Sequence, residues 1–199
     1  MEEDLIKKAI ARDVNAIRTL YDCHAPKLLS LCYRYLGNRE DAEDILHDGF
    51  IKIIQKIHTF RIRTDGGLEA WMKRIMVNTA LNSLRSRLKE KNLLDIDPIL
   101  DKINVHDEES YNPEEIYLQV DREKIMQLIC ELPAGYRTVF NLYVFEQYGH
   151  REIAAFLGCS ENTSKSQLSK ARALLRKKMD QLVNVKTSTT YEQIKSSYR

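Results

Sequence analysis

Glycine and proline are scarce, seven and four in 199 residues, which favours a helix-rich chain over one built on many tight turns. Long apolar runs are missing. No stretch approaches the roughly 18 residues needed to span a bilayer, and the acidic start Met1-Glu2-Glu3-Asp4 has no apolar signal core. A cytoplasmic location is therefore expected. Cys23, Cys32, Cys130 and Cys159 show no CxxC spacing and no accompanying zinc-type histidine pattern. Cys23-His24 is the only local Cys/His pair, so buried thiols in a reducing compartment are expected, with no metal and no cofactor. No Walker loop and no nucleophile–base constellation occurs, and His24, His47, His58, His106 and His150 are scattered. A catalytic site is not expected.

Neither sign of charge dominates. Charged residues make up 30% of the chain, yet the net charge is only +2. Any argument for nucleic acid must therefore rest on local patches. The length allows one large domain or two small ones.

Leu5–Ile10 and Val14–Tyr21 read as two short amphipathic helices, with Asp13 as N-cap between them. Leu28–Leu36 continues the helical pattern after Pro26 and stops at Gly37. From Asn38 a clean helix begins, with Ala42, Ile45, Leu46, Phe50, Ile53, Ile54 and Ile57 on one face. Glu43, Asp44, His47, Asp48, Lys52 and Gln55 fall on the other. Phe60–Gly67 is a break, and Leu68–Leu88 resumes as a helix around Trp71, Ile75, Ala80, Leu81, Leu84 and Leu88. Residues 1–92 form the expected first domain.

Leu93–Glu115 carries eight acids against Lys102 alone, with Pro98 and Pro113 interrupting it, and reads as an acidic, partly extended linker. A second domain is expected over 116–183. One helix spans Val120, Ile125, Leu128, Ile129 and Leu132 and ends at Pro133, and another covers Arg137–Phe145. Residues 184–199 read as a polar tail.

The strongest local signal is Tyr148–Lys178. Ile153, Ala154 and Leu157 pack a short helix, Gly158 permits a left-handed turn, and Ser160 can cap the next helix. That order outlines a helix-turn-helix. Over Ser160–Lys178 the cations Lys165, Lys170, Arg172, Arg176, Lys177 and Lys178 face only Glu161, while Leu168, Ala171, Leu174 and Leu175 point inward. The cations can neutralise phosphates, and Asn162, Lys165, Ser166 and Ser169 can reach base edges. In the first domain Arg74, Asn78, Asn82 and Arg85 recur at four-, four- and three-residue steps, an exposed stripe of phosphate donors flanking amides. Beside it the basic loop Phe60-Arg61-Ile62-Arg63 can receive an unstacked base.

Together these pieces carry a resemblance. Asp41-Ala-Glu-Asp-Ile-Leu-His-Asp-Gly-Phe50, then Phe60-Arg61, then Trp71-Met-Lys-Arg-Ile-Met-Val-Asn-Thr-Ala80 resembles region two of bacterial sigma factors. Leu132-Pro-Ala-Gly-Tyr-Arg137, Glu152-Ile-Ala154, Leu157-Gly158, Thr163-Ser-Lys-Ser166 and Lys170-Ala-Arg172 resemble region four. With no domain between the two, the chain resembles the compact extracytoplasmic-function branch. The chain departs from the family pattern at His47, Gly49, Ser164 and Gln167.

The resemblance implies an all-α fold of two small helical domains joined by an acidic linker, the second a helix-turn-helix domain. It implies a transcription initiation factor whose partners are core RNA polymerase and promoter DNA. Asp44, His47 and Asp48 would dock on the β′ clamp helices, and the second domain on the β flap. Asn78, with Asn82, would read the minus-10 element, helped by Phe60, Arg61, Arg63, Arg74 and Arg85. Asn162, Lys165, Ser166, Ser169, Lys170 and Arg172 would meet the minus-35 element. The linker would thread the active-site cleft and RNA exit path. An anti-sigma factor, in some relatives membrane-bound, would cover the polymerase-facing surfaces. Two other readings are a helix-turn-helix regulator whose first helices sense a ligand or dimerise, and a helical interaction adaptor without DNA affinity.

Overall fold

A computed structural model describes residues 2–61, 67–90 and 121–197, with side chains at 2–61, 67–86, 121 and 123–182. The linker Leu93–Glu115, Val120, Arg63 and most of the Phe60–Gly67 loop lie outside the described residues, as does the side chain of Leu88. The chain divides into two compact units, Met1–Leu94 and Asp95–Arg199. Every regular element among the described residues is helical.

The first unit is built from α1 (Glu2–Ile10), α2 (Val14–Leu36), α3 (Arg39–Lys56) and α4 (Gly67–Glu90), with a 3-10 turn at Ile57–Thr59 after α3. Asp13 caps α2, its carboxylate accepting from the N–H groups of Asn15 and Ala16 at 2.8 and 3.0 Å. Asn38 caps α3, accepting from Asp41 N–H at 2.8 Å. Both caps satisfy backbone donors that a helix start leaves unpaired.

α2 is one helix and not two. Pro26 lies inside it, removing one ladder bond at a cost of about 3 kcal/mol. Burial on both sides of that point, at Leu20, Ala25, Leu28, Leu31, Cys32 and Tyr35, keeps the halves on one axis. On α3 every residue of the expected apolar face is buried except Ile54, which is half-buried. α4 turns Leu68, Met72, Met76, Val77, Ala80, Leu81 and Leu84 inward, while Trp71 and Ile75 are only half-buried. The two helices meet closely at Gly49. A Cβ there would stand 2.7 Å from Met76 Cε, and Met76 is itself fully buried.

A polar clasp joins α2 to α4. Glu69 accepts from Lys27 at 2.8 Å and pairs with Lys73 at 3.0 Å. The two ammonium groups hold the Glu69 carboxyl down to about 2, against 4.5 for an ordinary glutamate. A depressed carboxyl stabilises the fold above its unfolded pKa and loses that contribution as pH falls towards the folded value. The melting-temperature gap between the wild type and Glu69→Gln is therefore expected to be constant above pH 4.5 and to close between pH 4.5 and about 2. Solvent screening keeps the gap small, under about 1 kcal/mol. A gap that persists unchanged at pH 2 would remove the clasp from the account.

The second unit holds α5 (Arg122–Cys130), α6 (Ala134–Phe140), a π turn (Asn141–Phe145), α7 (His150–Leu157) and α8 (Glu161–Ser197). Its core gathers Leu128, Ile129, Leu132 and Tyr136 against Ala171, Leu175 and Met179 of α8. Arg137 is buried beneath the α5–α6 turn. Its guanidinium donates to the carbonyls of Cys130 and, at 3.2 Å, Leu132. The segment expected as one helix over Arg137–Phe145 instead widens at Asn141 into the π turn, which leaves Tyr143, Val144 and Phe145 exposed. α8 also corrects the expected tail at residue 184, because its backbone stays helical to Ser197. No glycine or proline lies between Glu161 and Ser197 to end it.

None of the four cysteines is in a disulfide. Burial pushes the Cys32 thiol up to about 12, leaving it protonated and inert. Cys130 is buried too, whereas Cys23 is exposed and Cys159 half-buried, against the expectation of four buried thiols.

Candidate nucleic-acid interface

The helix-turn-helix is made by α7, a turn and the first turns of α8. Glu152 Oε2 accepts from Gly149 N–H at 2.8 Å and so closes the start of α7. Gly158 ends α7 at φ 71°, a conformation that costs a residue with a Cβ about 1–2 kcal/mol. Ser160 Oγ then accepts from Thr163 N–H at 3.0 Å and caps α8. Each local device sits where the sequence pattern places it.

Leu168, Ala171 and Leu175 are buried on α8, with Leu174 half-buried, which turns the opposite face outward. Asn162, Lys165, Ser166 and Arg172 are exposed, while Ser169 and Lys170 are half-buried. The helical step separates these residues into two flanks. Asn162, Ser166 and Lys170, with Thr163 and Gln167, meet Tyr136 of α6 around a notch of ≈ 200 Å³. Lys165 and Arg172 lie seven residues apart on the other flank. Lys165 is paired with Glu161 at 2.8 Å, a contact that holds the Glu161 carboxyl below its ordinary value.

In the first unit Arg74, Asn78 and Asn82 are exposed along α4, and Arg85 is half-buried at the end of the same stripe. Phe60, expected in the minus-10 set, does not present its ring to solvent. It is buried, with its centroid 5.5 Å from that of Trp71, so it anchors the start of the loop. Arg61 stays exposed and donates to the His58 carbonyl at 3.4 Å.

Asp44, His47 and Asp48 are all exposed on α3. Next to them an apolar hollow of ≈ 340 Å³ is lined by Ile17, Tyr21, Phe50, Ile51 and Ile54, with His47 at its edge. Ile51 is 56% exposed, an apolar residue on the acidic side of the helix. The amphipathic pattern of α3 had no place for it.

Sequence reasoning missed a polar pair inside the helix-turn-helix. Ser164 is fully buried and shares a 2.9 Å hydrogen bond with His150 Nδ1. The signal was present, since Ser164 falls on the apolar stripe of Leu168, Ala171 and Leu175, where a hydroxyl needs a partner. Among the described residues no group of three or more His, Cys, Asp or Glu could hold a metal ion, and no helix is long and apolar enough to cross a membrane.

Comparison with known proteins matches both units separately. The family model for sigma-70 region 2 matches residues 20–90, and that for sigma-70 region 4 matches residues 122–175. The ECF RNA polymerase sigma factor SigW of Bacillus subtilis is 29% identical over 189 residues, covering 90% of this chain and 100% of that protein. The ECF RNA polymerase sigma-E factor of Haemophilus influenzae is 27% identical over 186 residues, covering 92% and 97%. Among solved structures, the sigma factor RpoE in complex with the anti-sigma factor NepR from Bartonella quintana aligns with a TM-score of 0.45 and 22% identity, over 80% of this chain and 94% of that one. With both sigma-70 regions present, in order, and relatives matched along nearly their whole length, the chain belongs to the sigma-70 family of transcription initiation factors, in its extracytoplasmic-function branch.

Proposed function

We propose that this chain brings core RNA polymerase to its promoters by dividing recognition between two units, and that it catalyses no reaction of its own. The observation carrying this reading is the exposed Arg74-Asn78-Asn82 stripe on α4, in a unit that is separate from the helix-turn-helix. A duplex-binding regulator needs only the second unit. A chain that also reads opened DNA needs a second polar surface, and this stripe supplies amides for base edges with a guanidinium beside them.

In this reading Asn78 and Asn82 contact the minus-10 element, with Arg74 and Arg85 on its phosphates and Arg61 at the mouth of the base-capturing loop. On α8, Asn162, Ser166 and Ser169 face the minus-35 bases, while Lys165, Lys170 and Arg172 hold the backbone on two flanks. Asp44 and Asp48 suit a basic partner helix, and the hollow beside them suits an apolar side chain from it, as the β′ clamp helices would offer. The β flap is the proposed partner of the second unit. The segment 93–115 is proposed as the acidic linker, between domains at 1–92 and 116–183. An anti-sigma factor would compete for the α3 surface, and the work is done in the cytoplasm, where polymerase is.

The test is transcription by core polymerase on a promoter library, with and without this chain. Specific starts should occur only when it is present, and failure to bind core or to start transcripts would sink the reading. Asn78→Ala is expected to lower minus-10-dependent opening about tenfold, the scale of losing one base contact, while core affinity stays unchanged. Loss of both together would remove Asn78 from base reading.

A further inference from the structure

The bond between Ser164 and His150 is the buried end of a longer arrangement. His150 opens α7, so its 2.9 Å contact with Ser164 ties the start of one helix of the motif to the first turn of the other. The edge of the imidazole makes that bond, and its face is covered by Tyr143. The two ring centroids stand 4.7 Å apart with planes inclined by 24°. Tyr143 comes from the π turn, which brings it out of the regular helical path and over α7. The guanidinium carbon of Arg172 lies 5.6 Å from the centroid of the same Tyr143 ring.

Arg172 and Lys165, on one flank of α8, are held differently. Lys165 is paired with a carboxylate. An aromatic ring, by contrast, restricts a guanidinium without neutralising it, and leaves its in-plane N–H donors pointing past the ring. A long exposed side chain otherwise loses much rotamer freedom on binding, so holding it beforehand favours the contact.

We infer that Tyr143 and His150 are positioning residues that present Arg172, fully charged, to one backbone phosphate of the promoter duplex. Ser164 orients the imidazole, the imidazole supports the phenol ring, and the ring supports the guanidinium. This rests on the proposed minus-35 contact of α8 and adds residues from the π turn and α7 to it.

The experiment uses core polymerase carrying the full chain, bound to a promoter fragment, with affinity measured across a salt series. Arg172→Gln should lower the magnitude of the log K against log salt slope by about 0.9, the value for one phosphate. Tyr143→Leu should reproduce most of that loss although Arg172 is still present, and adding Arg172→Gln to it should change little further. Tyr143→Phe keeps the ring and should keep the wild-type slope. His150→Gln, which still offers Ser164 an amide, should retain more of the slope than His150→Ala. A wild-type slope in Tyr143→Leu, or a Tyr143→Phe variant as impaired as Tyr143→Leu, overturns the inference. Failure of the wild type to hold the promoter would instead count against the minus-35 reading itself.

Discussion

Arg137→Ala is expected to unfold the second unit at temperatures where the first survives. Arg137 is buried, and burial pulls its guanidinium below its ordinary pKa, yet its two backbone bonds close the α5–α6 turn. Truncation leaves the carbonyls of Cys130 and Leu132 without that donor and opens a cavity where the buried side chain stood. Together these should cost about 3–5 kcal/mol, a large part of the stability of so small a unit. Both bonds leave from one nitrogen, Nη1, which the shorter lysine side chain does not reach, so Arg137→Lys should recover only part of the loss. Separate melting of the two units, followed by amide hydrogen exchange, checks this. Minus-35 retention should disappear while core polymerase still binds through the first unit. A second unit that melts as in the wild type would show that the turn holds without its guanidinium.

Gly49→Thr should have the other large effect. A side chain there enters the space of the Met76 thioether, the far end of a flexible but fully buried side chain, which must shift to make room. Overpacking of this kind costs about 1–3 kcal/mol, against a gain of roughly a few tenths of a kcal/mol from replacing a mid-helix glycine by threonine, itself a poor helix former. Shortening Met76 in the same chain should relieve the clash, so that Gly49→Thr with Met76→Ala loses less than the sum of the two, by at least about 1 kcal/mol. The functional signature also differs from that of Asn78→Ala. Separating α3 from α4 displaces both the Asp44–Asp48 face and the Arg74–Arg85 stripe, so core binding and minus-10 reading should fall together. Simple additivity of the two stability changes would mean that the helices already have room to adjust.

Features set by the local chain were legible in the sequence. Asp13 and Ser160 cap the helices they were expected to cap, and Asn38 caps the helix expected to begin there, because an N-cap depends on one side chain and the next three residues. The apolar face of α3 and the boundaries of the helix-turn-helix follow from periodicity and from Gly158. What depended on distant partners was not legible. Pro26 reads as a break until the burial of α2 on both sides of it is known. Phe60 reads as the first residue of the loop until Trp71 is found against it. The π turn needs a wider hydrogen-bonding pattern that no residue type announces. The continuation of α8 beyond residue 184 was hidden by weak amphipathicity, although nothing there could terminate a helix. On the proposed DNA-facing surface the residue types and, through the helical step, their two flanks were readable, but the aromatic neighbours Tyr136 and Tyr143 were not.

The unbroken backbone of α8 has a mechanical consequence. At 1.5 Å per residue, about 21 Å of rod separate Glu161 from Leu175, and about 33 Å separate Leu175 from Ser197. Ala171, Leu175 and Met179 seat the rod in the core between those arms. Ser164 and Leu168 are buried as well, so the first arm is fastened along its length while the second runs on past Met179. With no glycine or proline along the helix, a sideways load on the last turns is carried by the backbone into the packing around Leu175 and Met179 instead of being absorbed at a hinge.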